Sequence, residues 1–129
     1  MDQLGLTFEA DEHAVAIARL PDGLRRLAEE IRVTTMTGPI SADRLALMLG
    51  TDRRSIAASV NELILEHRLP IGSARSKPAG YYWIRTREEL EQACRMYHST
   101  AMELLMREAA LKKITVDALL GQMALGEEC

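Results

Sequence analysis

Two adjacent arginines, Arg53 and Arg54, stand at the start of an amphipathic segment, with Asn61 two turns further along. The guanidinium fork of arginine matches the two acceptors on the major-groove edge of guanine, and the amide of asparagine can pair with adenine in the same bidentate way. Two further cations, Arg75 and Lys77, lie in a short polar segment downstream, where they suit contacts to phosphate. These residue types predict recognition of DNA rather than covalent chemistry.

Two helices precede the arginine pair. The spacing of apolar residues predicts a first helix from an N-cap at Asp22 to about Thr35. Gly38 and Pro39 break the chain, and Ser41 then caps a second helix of about nine residues that Gly50 ends. The predicted buried side chains are Leu24, Leu27, Ala28 and Ile31 in the first helix and Leu45, Met48 and Leu49 in the second.

The arginines themselves begin a third helix, which Thr51 is expected to cap and which extends over residues 52–67. One stripe, formed by Ile56, Val60, Leu63 and Ile64, is predicted to face the core. The side chains left outward near the helix start are Arg53, Arg54, Ser55, Ala57, Ala58 and Asn61. Gly50 allows the tight turn that lets the second and third helices cross, and the small side chain of Ala46 is expected to face that crossing.

A β-hairpin is predicted after the third helix. Its strands are residues 70–73 and 81–84, and the loop over residues 74–80 is basic. The alternation of side chains along a strand places Tyr81 and Trp83 on one face of the hairpin and Tyr82 on the other. A base-stacking platform for single strands is one interpretation of these rings, but core packing of one face is the interpretation favoured by the alternation.

Helical patterns also flank the central region. Residues 10–19 can form a short helix, and residues 114–123 form another that begins at the cap Thr115. Between them, Thr86 and Glu89 form a capping box, and an apolar stripe predicts a helix of about 25 residues, roughly 36 Å long at 1.5 Å per residue. Because such a helix outruns a small domain, we expect its stripe to mediate a homodimer. The candidate dimerisation residues are Leu90, Tyr97, Ala101, Leu104 and Leu105.

Charge is distributed unevenly along the 129 residues, whose net charge is −3. Residues 1–40 hold four Arg/Lys and seven Asp/Glu, residues 41–84 hold six and four, and residues 85–129 hold six and eight. Only the middle third is basic. An acidic chain with one basic region predicts attraction to DNA along that region alone.

The order of elements is that of a winged helix-turn-helix, and three segments carry a more specific likeness. These are "PISADRLALMLG", "TDRRSIAASVNEL" and "LPIGS", followed by Gly80 and Tyr81 at the return of the hairpin. Over about 45 residues the chain resembles the helix-turn-helix domain of the biotin-repressor type. The next segment, "TREELEQA", is similar to helices of winged-helix proteins encoded by phages and prophages. No residues remain to build a biotin ligase.

The resemblance implies DNA binding through the third helix and the wing, with Arg53, Arg54, Ser55 and Arg75 at the corresponding positions. We expect Ser41 and Thr51 to contribute further contacts. The fold expected is mainly helical with a small hairpin, divided into an N-terminal segment over 1–21, a winged domain over 22–85 and a helical extension over 86–129.

The sequence gives little support for a metal site, a cofactor site or catalysis. His13, His67 and His98 are far apart and lie in no recognised ligand motif, so neither a metal nor another cofactor is expected. The chain contains no paired-acid motif, nucleophile signature or glycine-rich phosphate loop, and a non-enzyme is expected. No membrane-spanning segment or signal peptide is apparent. The two cysteines lie in no pattern typical of disulfides, so we expect a protein of the reducing cytoplasm. We expect it to associate there with the nucleoid.

A separate motif lies near the start of the sequence. Residues 3–8, Gln-Leu-Gly-Leu-Thr-Phe, resemble the short peptide by which bacterial proteins dock on the replicative sliding clamp. The alternative is an ordinary terminal segment whose Leu4, Leu6 and Phe8 pack on the domain.

Together these patterns predict a sequence-specific, double-stranded DNA-binding protein that regulates transcription, of bacterial or phage origin. Two alternatives stay open at this stage. One is a replication or recombination accessory protein with the same module, and the other is a winged domain that binds only protein.

Overall fold

The computed structural model describes residues 10–126, which form helices and a single hairpin. Its elements are α1 Ala10–Ala18, α2 Asp22–Arg32, α3 Ala42–Leu49, α4 Arg53–Leu65, β1 Ile71–Ala74, β2 Gly80–Trp83, α5 Arg87–Lys112 and α6 Val116–Ala124. The predicted architecture, mainly helical with a small hairpin and a long C-terminal helix, is confirmed. None of the described helices is both long and apolar enough to cross a membrane.

The described chain divides into two compact units, one ending at Ala93 and one beginning at Cys94. The core of the first unit lies between α2, α3 and α4, where Leu27, Ile31, Leu45, Ile56 and Leu63 are fully buried. Ile17 and Leu20, from α1 and the turn after it, join the same cluster.

The buried side of α3 differs from the prediction at one position. Met48 was expected in the core but is 40% exposed, whereas Ala46 is only 6% exposed. Leu45 is buried and Leu49 is partly buried against the same cluster. Ala46 therefore faces the neighbouring helices, and its small side chain lets α3 approach them closely.

Helix α2 begins and ends differently from the prediction. Pro21 occupies the N-cap position without a side-chain bond, and the expected cap Asp22 is the first helical residue. The helix ends at Arg32 rather than near Thr35. The guanidinium of Arg85 donates to backbone carbonyls at this end and just beyond it.

Arg85 is half-buried and donates hydrogen bonds to three carbonyls. Nη1 donates to the carbonyls of Thr34 at 2.6 Å and Trp83 at 2.9 Å, and Nη2 donates to that of Arg32 at 2.8 Å. One side chain thus joins the end of α2 to the end of β2. Orphan carbonyls at a helix C-terminus need such donors, and a cation there also complements the helix dipole.

The hairpin is antiparallel, with Ile71 opposite Trp83 and Ala74 opposite Gly80. As predicted, its aromatic residues alternate between faces. Trp83 and Tyr81 pack into the core described above, whereas Tyr82 packs with Ile84 and Ala93 in a second cluster. Both faces of β2 are therefore used for packing.

The long helix α5 begins at the predicted cap. Thr86 Oγ1 accepts from the backbone N–H of Glu89 at 3.1 Å, and the Glu89 carboxylate accepts from the N–H of Arg85 at 2.8 Å. The return bond goes to Arg85 rather than to Thr86, one residue earlier than in an ideal capping box. Helix α6 starts at the predicted cap Thr115, whose Oγ1 accepts from Ala118 N–H at 3.0 Å.

Candidate nucleic-acid interface

The turn between α3 and α4 is closed by backbone bonds. Gly50 adopts the left-handed conformation, with φ 70° and ψ 38°, which glycine takes without strain. The next N–H, that of Thr51, bonds back to the carbonyl of Ala46 at 2.9 Å. At the other end of α3, the predicted cap is confirmed, because Ser41 Oγ accepts from Arg44 N–H at 3.1 Å.

The cap of α4 is Asp52, and the prediction of Thr51 was wrong. Asp52 has extended backbone angles, and its carboxylate accepts from Ser55 N–H at 2.8 Å. Thr51 lies one residue before the cap position, and its N–H bonds to the carbonyl of Ala46 in the turn that ends α3. The hydrogen bond from the Ser55 backbone lowers the pKa of the Asp52 carboxyl below its ordinary value, as expected where a bond favours the charged form.

Helix α4 turns its apolar stripe inward and its polar residues to solvent. Ile56, Val60 and Leu63 are buried, and Ile64 is partly buried. The outward residues that the sequence predicted are all exposed: Arg53, Arg54, Ser55, Ala57, Ala58 and Asn61. The small side chains among them, Ser55, Ala57 and Ala58, leave the surface of the helix accessible.

The hairpin loop, residues 75–79, forms the predicted wing and is exposed throughout, including Arg75 and Lys77. The wing is tied to the start of α3 by Ile40, which pairs with Tyr81 through two backbone bonds of 2.8 and 2.9 Å. Gly80, at φ 154°, makes this pairing possible, because a Cβ there would overlap the carbonyl of Ile40.

An open groove of about 260 Å³ lies between these elements. It is lined by Ser41 and the first turn of α3, by Arg53, and by the strand ends at residues 73–74 and 79–81. The groove brings together Ser41 and Arg53, two of the predicted contact residues, with the base of the wing. Thr51, Arg54 and Asn61 lie elsewhere on the exposed surface.

Asp43 is a site residue that sequence reasoning missed. Its Oδ1 lies 3.2 Å from Nε of Arg53, and both side chains are 74% exposed. An acidic residue in the first turn of a helix is commonplace because it complements the helix dipole, so its sequence position alone gives no functional signal. The short turn at Gly50, which brings the two helices together, is the signal that could have found the pair.

The predicted dimerisation stripe falls in both units. Leu90 packs on the cluster of Tyr82, Ile84 and Ala93 in the first unit. In the second unit, Tyr97 and Leu104 are 48% and 56% exposed. Ala101 is also exposed, and Leu105 is half-buried.

The remaining candidates have simpler placements. His13 packs edge-on against Trp83, with ring centroids 5.6 Å apart. Within residues 10–126, no group of three or more His, Cys, Asp or Glu side chains could hold a metal ion. The clamp-like motif over residues 3–8 lies outside the described residues.

Comparison of the chain with family models, with curated proteins and with solved structures finds no match.

Proposed function

We propose that this protein binds double-stranded DNA in a sequence-specific manner and regulates transcription, with α4 as the reading helix. The observation that carries the proposal is the exposed start of α4, where Arg53 and Arg54 are both open to solvent and Arg53 shares a groove with the base of the wing. In helix-turn-helix proteins, the N-terminal part of the second helix of the motif enters the major groove. α4 has that place in the element order, after the short α3 and the turn at Gly50.

Surface charge supports the same assignment. The exposed cations Arg44, Arg53, Arg54, Arg75 and Lys77 lie at the start of α3, the start of α4 and the wing, and phosphate contacts from such groups supply most non-specific affinity. Phosphate contacts by the wing would position the module, while α4 discriminates between bases. The protein would act in the cytoplasm, on the nucleoid.

The first experiment selects bound duplexes from random DNA and then measures affinity by fluorescence anisotropy. Replacing both Arg53 and Arg54 by Ala removes the proposed base readers, and each lost base contact should cost about 1 to 3 kcal/mol. The control variant replaces Arg19 and Arg95, which are exposed outside the interface, and should bind like the wild type.

Failure of the wild type to select or bind any duplex would refute the proposal, as would equal binding by the variant at Arg53 and Arg54. Absence of DNA binding by the wild type would favour a winged domain that binds only protein, which agrees with the net charge of −3. Equal binding by the variant would show that Arg53 and Arg54 do not read the bases. Binding without sequence preference would instead fit the replication or recombination accessory protein.

The wing is tested by salt dependence. Lys77→Ala should weaken binding to all sequences alike and reduce the slope of log K against log salt by about 1. An unchanged slope would show that Lys77 makes no phosphate contact.

We also propose that the protein acts as a homodimer. A single module with few phosphate contacts binds weakly at physiological salt, and two linked modules gain avidity. The exposed Tyr97, Ala101 and Leu104 of α5 provide an apolar surface for a second copy.

Leu104→Glu should shift the protein to monomers in analytical ultracentrifugation. Met106→Glu is the matched control, because this exposed residue lies about 200° around the helix from Leu104.

A wild type that stays monomeric at tens of micromolar would contradict the dimer. Equal effects of Leu104→Glu and Met106→Glu would show that the stripe is not the interface.

A further inference from the structure

The ion pair between Asp43 and Arg53 joins the first turns of α3 and α4 at the edge of the groove. Its contact is at Nε of Arg53. The two terminal nitrogens of the guanidinium, which carry four of its five N–H donors, therefore stay available for a ligand.

Stability does not explain this pair well. Both side chains are 74% exposed, and exposed ion pairs contribute little to folding because water and salt screen them. A carboxylate at this position also repels the phosphates that the neighbouring cations attract. Within a DNA-binding surface, Asp43 lowers general affinity. Besides complementing the dipole of α3, the other effect that its position allows is on Arg53.

We propose that Asp43 is a positioning residue that fixes the Arg53 guanidinium for reading one guanine, an inference that rests on the proposed function. Arginine has a long side chain that otherwise samples many rotamers and can reach any nearby phosphate. Anchored at Nε, the guanidinium presents its terminal fork to a partner with two adjacent acceptors, as on the O6 and N7 edge of guanine. Asp43 thereby favours a base over a phosphate as the partner of Arg53.

This mechanism makes affinity and specificity change in opposite directions. Asp43→Asn removes the negative charge and so weakens the anchor, because the amide oxygen can still accept a hydrogen bond but forms no ion pair. The variant should bind mismatched duplexes more tightly than the wild type does, and should lose discrimination at the base pair that Arg53 reads. A bidentate arginine contact to guanine discriminates by about 5- to 150-fold, and the variant should fall toward the ratio shown by Arg53→Ala.

The experiment compares the selected duplex with duplexes altered at single base pairs. Loss of preference in Arg53→Ala identifies the base pair that Arg53 reads. Dissociation constants are then measured for wild type, Asp43→Asn, Arg53→Ala and the double variant, which complete a mutant cycle. We expect Asp43→Asn to change discrimination at that base pair only when Arg53 is present, and Asp43→Glu to restore part of it.

Asp117→Asn is the matched control. Asp117 is exposed in the first turn of α6, so its loss has the same effect on a helix dipole, and discrimination should not change. Thermal melts should show Asp43→Asn folded, since the pair is exposed. Should that variant unfold, Asp43→Ser, which keeps a small polar side chain, takes its place in the cycle.

The possible failures are distinguishable. If the wild type discriminates and Arg53→Ala does not, but Asp43→Asn discriminates like the wild type, the positioning role is wrong and the proposed function stands. A change in discrimination that persists without Arg53 also overturns the role. If Arg53 and Arg54 can be replaced without loss of binding, the proposed function fails first.

Discussion

Replacing Arg85 by Met tests whether one side chain holds the end of β2 to the end of α2. Methionine keeps an unbranched apolar stem but removes every donor. Three hydrogen bonds are lost, to the carbonyls of Arg32, Thr34 and Trp83, at distances of 2.6 to 2.9 Å. A hydrogen bond involving a charged group contributes about 1.5 to 3 kcal/mol.

The three contributions do not add fully. Arg85 is half-buried, so water can reach some of the freed carbonyls, and bonds made by one side chain are coupled. The net loss in the free energy of unfolding should be about 2 to 4 kcal/mol. Arg85→Lys should lose less, because the ammonium retains charge and donors but lacks the planar fork.

Urea unfolding followed by circular dichroism measures this loss. With a denaturant slope of about 2 kcal/mol/M, the midpoint should fall by roughly 1 to 2 M. Arg95→Met is the control, because Arg95 is exposed on α5 and its loss should change stability by about 0.5 kcal/mol or less. A loss below about 0.5 kcal/mol for Arg85→Met would show that these three bonds do not stabilise the fold.

Two further predictions concern the turn residues and caps around the groove. Gly80→Ala should destabilise the fold by about 2 to 4 kcal/mol in urea unfolding, through positive φ and overlap with Ile40. Gly23→Ala, which meets nothing within 4 Å, should instead be neutral or stabilising, and a similar loss in both variants would contradict the overlap. The pKa of Asp52 is lowered in the folded protein by the hydrogen bond from the Ser55 backbone, so its charge stabilises the fold at neutral pH. This contribution is lost as the pH falls from the ordinary carboxyl range through the lower folded-state pKa. Asp52→Asn keeps an acceptor for Ser55 but cannot titrate, so the stability difference from wild type should shrink across that range, and a difference independent of pH would contradict the assignment.

Local signals in the sequence determined most of the secondary structure. The caps at Ser41, Thr86 and Thr115 depend on a side chain and an N–H three residues apart, and Gly50 depends on its own backbone freedom. Such interactions are made within one helical turn, so the residues that make them lie within a few positions of each other in the sequence. The same holds for the exposed arginines at the start of α4, whose position follows from the period of the buried stripe.

Only the tertiary structure decided which distant groups meet. The carbonyl at the end of α2 accepts from Arg85, more than 50 residues away in the chain, and the attachment of the wing depends on Ile40 pairing with Tyr81. The exposure of Met48, which was predicted to be buried, depends on which side of α3 its neighbours occupy. At the candidate interface, residue types identified Arg53, but its partner Asp43 required the packing of α3 against α4. A side chain's type and period are properties of its own segment, whereas its partners are set by how the segments pack.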